Sequence, residues 1–205
     1  SFGIKSKKAN VKLLNIKKVK KVFKIKVKIN DKFKYFIISN NFQNSIYNIL
    51  GALSVISIYK NVLKLNEKIF LDFKTPAGRG DRSIIKIGNK KINLIDESYN
   101  SNPLSLSSAI LNFSNIDVEN KKKHFLMGDM LELGKHSKKL HKDMSDVLNK
   151  SKINKIHIYG KDAAITFKGI ERRRKGRILR NTSDIYDLIV RDLNNNDYLM
   201  IKGSN

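Results

Sequence analysis

The sequence predicts an α/β protein: a β-hairpin and a helix, followed by a mostly parallel sheet with helices on both faces. Three observations carry this. From Ser83 to Lys202 the hydrophobic spacing switches in regular order between two and 3.6 residues. Strands that alternate with helices in this way bury their apolar faces best in a parallel sheet. One Pro/Gly-rich stretch, Thr75-Pro76-Ala77-Gly78-Arg79-Gly80, separates this pattern from a different one upstream. Two domains are therefore expected, residues 1–73 and 74–205, within a length of 205 residues that allows one large domain or two small ones.

Each element has its own signal. Val22–Ile29 and Lys32–Ile38 alternate apolar and polar residues around the turn pair Asn30-Asp31, which predicts a hairpin. Ile46, Ile49, Leu50, Leu53 and Ile56 recur at helical spacing, with Asn44 or Ser45 available as N-cap. A short helix is expected from Asn66 through Phe70. Beyond the junction, Ser83–Ile87 and Lys91–Asp96 read as strands around Gly88-Asn89. Asn102 caps a helix whose first residue is Pro103 and whose apolar stripe ends at Phe113. Then follow strand His124–Gly128, helix His136–Lys150, strand Lys155–Tyr159 and a short helix Asp162–Phe167. Strand Arg177–Leu179, helix Ser183–Leu193 and strand Tyr198–Lys202 complete the series. A further helix after Asn205 is expected to cover the remaining sheet face.

Composition narrows the function. There are no cysteines, so disulfide scaffolds, thiolate metal sites and cysteine nucleophiles are excluded. The apolar run Ile46–Tyr59 is shorter than the roughly 20 residues a membrane span needs. Lys+Arg outnumber Asp+Glu by 42 to 18, a net charge of +24. A chain this basic can neutralise phosphates as a nucleic-acid-binding module, which stands as the alternative function. Many of the lysines, however, alternate with core residues along Val22–Ile29, as on a solvated strand face.

In a parallel sheet, ligands sit beyond the carboxyl ends of the strands. Here those ends carry Asp96–Asn102, Gly128–Gly134, Tyr159-Gly160 and Lys202–Asn205. Ile95-Asp96-Glu97-Ser98-Tyr99-Asn100-Ser101-Asn102-Pro103 crowds acids and amides onto a strand-to-helix turn, where free backbone N–H groups favour anions; helix capping explains it equally well. In Met127-Gly128-Asp129-Met130-Leu131-Glu132-Leu133-Gly134 the glycines allow close backbone approach. Asp129 or Glu132 there suits an ammonium or Mg²⁺, and a plain glycine-punctuated loop is the simpler account. His141, alone on a helix, reads as a packed or surface residue rather than a catalyst. No GxxxxGK[ST] phosphate cradle and no zinc-ligand spacing occur.

Taken together, Gly78-Arg79-Gly80, Ile95–Pro103, Gly128–Gly134 with His141, and Lys202-Gly203-Ser204 resemble the MurF-type Mur ligases in order and spacing. These are the UDP-N-acetylmuramoyl-tripeptide–D-alanyl-D-alanine ligases of peptidoglycan synthesis. Asn41–Leu53 is similar to a segment of their ATPase domain. The resemblance implies a cytoplasmic, monomeric enzyme that uses ATP and Mg²⁺ to activate the tripeptide carboxylate as an acyl phosphate, which the amine of D-alanyl-D-alanine attacks. It implies that residues 1–73 are the tail of the central ATP-binding domain and 74–205 a Rossmann-like C-terminal domain. The uridine-nucleotide domain, the P-loop and the Mg²⁺ ligands would then precede Ser1.

By the same resemblance Asn44 lies beside adenine, Arg79 swings to the nucleotide phosphates as catalytic residue, and Glu97 contacts the ribose. Asn100, Asn102 and Asp129 line the acceptor pocket, and Lys202 with Ser204 holds the dipeptide carboxylate. Asn41, Phe42 and Gln43 depart from the family's glycine, arginine and histidine; Glu97 stands for aspartate and Ser101 for alanine.

Overall fold

The structure is a computed structural model that describes residues 1–20, 22–39, 46–73 and 76–204. Two compact units divide the chain, Ser1–Thr75 and Pro76–Asn205.

The first unit is a four-stranded sheet in sequential order: β1 (Phe2–Gly3), β2 (Val11–Val19), β3 (Val22–Ile29) and β4 (Lys32–Ser39). The expected hairpin is β3–β4, in continuous register from Val22↔Ser39 to Ile29↔Lys32. It is one part of an antiparallel meander, β2–β3–β4, to which β1 adds in parallel; sequence reasoning missed β2. A register shift between Leu13 and Asn15 breaks the alternation of β2, and a strand with interrupted alternation shows no period of two. Phe23, Ile25, Val27 and Ile29 face inward with Phe36 and Ile38, against Ile49, Leu50 and Leu53 of α1 (Ile46–Tyr59). The helix expected from Asn66 to Phe70 is instead a chain of turns. Asn66 Oδ1 accepts from Lys68 N, and the N–H groups of Ile69 and Leu71 close three-residue turns onto Asn66 and Lys68. Asx turns of this kind compete with helix formation. A 3₁₀ turn lies just upstream, at Val62–Lys64.

The second unit has a six-stranded sheet, order β5-β6-β10-β7-β8-β9. Its strands are β5 (Asp81–Ile87), β6 (Lys90–Glu97), β7 (Lys123–Gly128), β8 (Lys155–Tyr159), β9 (Lys175–Leu179) and β10 (Tyr198–Lys202). All neighbours are parallel except β5–β6. One face packs α2 (Pro103–Ser114), α3 (Ser137–Asn149) and α4 (Ala163–Lys168) around Phe113, Phe125, Met127, Leu148 and Ile158. The other packs α5 (Ser183–Asp192) through Leu188 and Ile189 onto Leu126, Leu179 and Leu199. Helices thus cover both faces, as expected. The last strand enters the middle of the sheet, between β6 and β7. The loops after those three strands therefore meet at one rim.

Candidate active site

The rim is built by backbone before side chains. Gly78 and Gly80 both have positive φ, which only glycine adopts without strain. They let residues 78–80 run alongside the end of β6: Gly80 N donates to Asp96 O at 2.7 Å and Tyr99 N donates to Gly78 O at 3.0 Å. A Cβ at Gly78 would meet the Tyr99 backbone N at 2.9 Å, so close approach requires glycine here as well. The ribbon sets the exposed Arg79 guanidinium over the Tyr99 ring, 4.0 Å from its centroid. That stacking holds the cation at the rim without neutralising it.

Lys202, at the end of β10, is almost fully buried. Its ammonium donates to Asn100 O at 2.8 Å and to Glu97 O at 3.4 Å, and lies 3.7 Å from Glu97 Oε2. Burial pushes its pKa below the ordinary lysine value, and the Glu97 carboxylate opposes that shift. Ser204 Oγ accepts from the N–H groups of Ser101 and Leu131, each at 3.1 Å, and lies 3.0 Å from Asn100 Oδ1, to which it donates. Two backbone donors, an amide and an ammonium thus converge within one short stretch of rim. A cleft of about 220 Å³ opens beside them, lined by Lys202, Ser204, Ser98, Tyr159 and Thr182. Such a set suits a small anionic ligand.

The model of the family described as "Mur ligase, glutamate ligase domain" matches residues 82–205, more than half of the sequence. The chain belongs to the Mur ligase family. A UDP-N-acetylmuramoyl-tripeptide–D-alanyl-D-alanine ligase of Rickettsia prowazekii (strain Madrid E) is 26% identical over 204 residues, covering 100% of this chain and 44% of the relative. One of the same description from Bacillus subtilis (strain 168) is 28% identical over 116 residues, covering 55% of this chain and 25% of the relative. The chain therefore spans less than half the length of these relatives. The MurF ligase of Thermotoga maritima, solved in complex with ADP, superimposes with a TM-score of 0.72 at 19% identity, over 99% of this chain and 44% of that one. At that identity the likeness establishes the fold.

In this Mur ligase chain, the rim gathers Arg79, Glu97, Asn100, Lys202 and Ser204 in the second unit. Two other expected site residues are turned toward the fold. Asn102 Oδ1 accepts from Ser105 N at 2.8 Å while Ser105 Oγ accepts from Asn102 N, a reciprocal cap on α2. Asp129 Oδ1 accepts from Ala163 N at 2.7 Å, at the start of α4, and only its backbone carbonyl reaches Ser204 N. Asn44 lies outside the described residues. Among the described residues no group of three or more His, Asp or Glu is arranged to hold a metal ion. His141 is a packed histidine, as its solitary position implied. Its Nε2 accepts from Met130 N at 3.0 Å, so Nδ1 carries the proton and donates to Ser137 O at 2.9 Å. The ring staples the Gly128–Gly134 loop to α3.

Sequence reasoning missed a second polar cluster. His124 (β7) and His157 (β8) stack beneath α5, both almost fully buried, with ring planes 13° apart. Arg177 N donates to His157 Nδ1 at 2.9 Å, so His157 Nε2–H donates to His124 Nδ1 at 3.1 Å. His124 Nε2–H then faces Asp197 Oδ2 at 3.6 Å, too far for a hydrogen bond. Burial lowers His124 to about 4, against a partial rise from Asp197. Burial, then the neighbouring His124, lowers His157 to about 3. Two histidines spaced 33 apart in sequence give no signal of pairing; only the adjacency of β7 and β8 creates it.

Proposed function

We propose that this chain supplies the acceptor-binding wall, and part of the nucleotide-contacting surface, of a Mur ligase that joins D-alanyl-D-alanine to UDP-N-acetylmuramoyl-tripeptide in peptidoglycan synthesis. The observation that carries this is the convergence of Lys202, Ser204, Asn100 and Glu97 at one rim. It is supported by one relative of that description along the whole chain and by another over 55% of it. In this reading ATP would supply the phosphoryl group that activates the tripeptide carboxylate as an acyl phosphate.

The chain's own residues then do three things. Lys202 places positive charge beneath the rim, and its hydrogen bonds to Glu97 O and Asn100 O hold that loop open for the dipeptide. Ser204 and Asn100 present hydroxyl and amide groups to the dipeptide carboxylate, replacing bonds they now make to each other. Arg79, exposed and stacked on Tyr99, neutralises charge developing on the transferred phosphoryl group, while Glu97 reaches a ribose hydroxyl. Asn44 contributes beside adenine in this reading, Asn102 and Asp129 shape the acceptor loop through their caps, and the enzyme works as a cytoplasmic monomer. The nucleic-acid alternative gains no support from the family match.

Titrating D-alanyl-D-alanine into the ¹⁵N-labelled chain tests the proposal. The amides of Ser101, Leu131 and Ser204 are expected to shift, and a Ser204→Ala variant to lose those shifts; unchanged amides overturn the acceptor assignment. The chain alone, lacking a phosphate cradle, is expected to show no ligase turnover with ATP and UDP-N-acetylmuramoyl-tripeptide. Formation of the pentapeptide product would refute that division of labour.

A further inference from the structure

The outer face of the first unit's sheet carries a charged surface that the ligase reading does not use. The inner face of β2–β4 is packed by α1, whereas Phe33 and Tyr35 on the outer face are exposed. Strand pairing places Lys12, Asn15 and Lys17 of β2 beside Lys28, Lys26 and Lys24 of β3, and these beside Phe33, Tyr35 and Ile37 of β4. Five lysines thus share a surface with no acidic residue among the strand positions facing them. Asp31, in the turn, lies 3.8 Å from Lys28 and is fully exposed.

Two features mark this as more than a solvated face. Lys12 is directly opposite Lys28 and Lys17 directly opposite Lys24, and like charges paired across strands destabilise a sheet. Large apolar groups lie on the same surface: Phe33 is 56% exposed and Tyr35 39%. Aromatic rings among lysines on a flat surface match the interface of an anionic bilayer, where cations meet headgroups and rings settle at headgroup depth. The ring faces argue against single-stranded nucleic acid, which needs them free for base stacking. Lys26 already covers Phe33 at 4.0 Å and Lys24 covers Tyr35 at 4.6 Å, while the rings meet edge to face at 83°.

We propose that the outer face of β2–β4 adsorbs this protein onto anionic phospholipid membranes, peripherally and without insertion. The proposal is independent of the ligase reading. Its test is co-sedimentation of the full chain with phosphatidylglycerol–phosphatidylcholine vesicles against phosphatidylcholine alone, across a salt series. Binding is expected on the anionic vesicles only, weakening as salt rises. The triple variant Lys17→Gln, Lys24→Gln, Lys28→Gln is expected to bind on the order of a hundredfold more weakly, at about 1 kcal/mol per lysine near an anionic surface. Its melting temperature should not fall, since two like-charge pairs are relieved. A control triple in α3, Lys138→Gln, Lys139→Gln, Lys142→Gln, removes the same charge and is expected to change binding by less than about threefold, under 1 kcal/mol in all. Equal losses in both triples, equal binding to neutral vesicles, or face-dependent binding to a single-stranded oligonucleotide without vesicle binding would each overturn the proposal.

Discussion

Two polar clusters occupy the same six-stranded sheet, at opposite ends of its central strands. At the carboxyl rim, Glu97, Asn100, Lys202 and Ser204 satisfy one another beside an open cleft, and Arg79 and Tyr99 stand exposed. Near the amino ends, His124, His157 and Asp197 are sealed by α5, and Arg177 closes the side through Asp192. Both are hydrogen-bonded networks with titratable groups shifted by burial. The difference is access. Rim bonds can be exchanged for bonds to a ligand, whereas the sealed bonds have no competitor and serve the fold. A shifted pKa alone would point to the sealed histidines, which a ligand cannot reach.

This contrast can be broken most forcefully by acid. A histidine whose folded-state pKa lies below its unfolded 6.5 stabilises the fold fully above 6.5. That stabilisation is lost as pH falls from there through about 4 for His124 and about 3 for His157. Urea unfolding is therefore expected to show a loss on the order of several kcal/mol between pH 7 and pH 4. In a His157→Gln variant the slope should flatten; an unchanged slope would place the acid sensitivity elsewhere.

Next in size come two substitutions that strike one cluster each. Lys202→Met removes the ammonium beneath the rim and leaves two carbonyls without their donor. It is expected to cost about 2–3 kcal/mol in urea unfolding and to abolish the D-alanyl-D-alanine shifts. Gly176→Ala places a methyl into the buried His157 ring, which has nowhere to move. It is expected to cost about 1–3 kcal/mol in the same measurement while leaving dipeptide shifts intact. If Gly176→Ala weakened dipeptide binding as much as Lys202→Met, the two clusters would not be separable.

The smallest effect sharpens the boundary. Asn102→Ala removes the cap on α2 and is expected to cost about 1 kcal/mol. Asn102→Ser, which keeps a capping oxygen, should recover most of that. Dipeptide binding recovered together with stability would assign Asn102 to loop support; binding lost in both variants would assign it to direct contact.

The α/β alternation, the glycine pair flanking Arg79, the Asn102–Pro103 helix start and the solitary position of His141 were all legible in the linear chain. Each depends on interactions within a few residues: apolar spacing, φ preferences, a side chain bonding the next turn. What stayed hidden was of two kinds, local irregularities that mask a period and contacts between residues distant in sequence. The bulge in β2 erased the period that marks a strand. Asn66 turned a helical pattern into consecutive turns by accepting from the Lys68 N–H two residues on.

The largest gap was the placement of β10. Periodicity identifies Tyr198–Lys202 as a strand, but not its neighbours. Only the folded sheet, where burying the apolar last strand on both sides puts it between β6 and β7, brings Lys202 under Asn100 and Ser204 beside Leu131. The same packing set His124 against His157. Local chemistry was written in the residue order; which polar groups meet was decided by strand adjacency, because hydrogen bonds reach only about 3 Å and the chain spans far more.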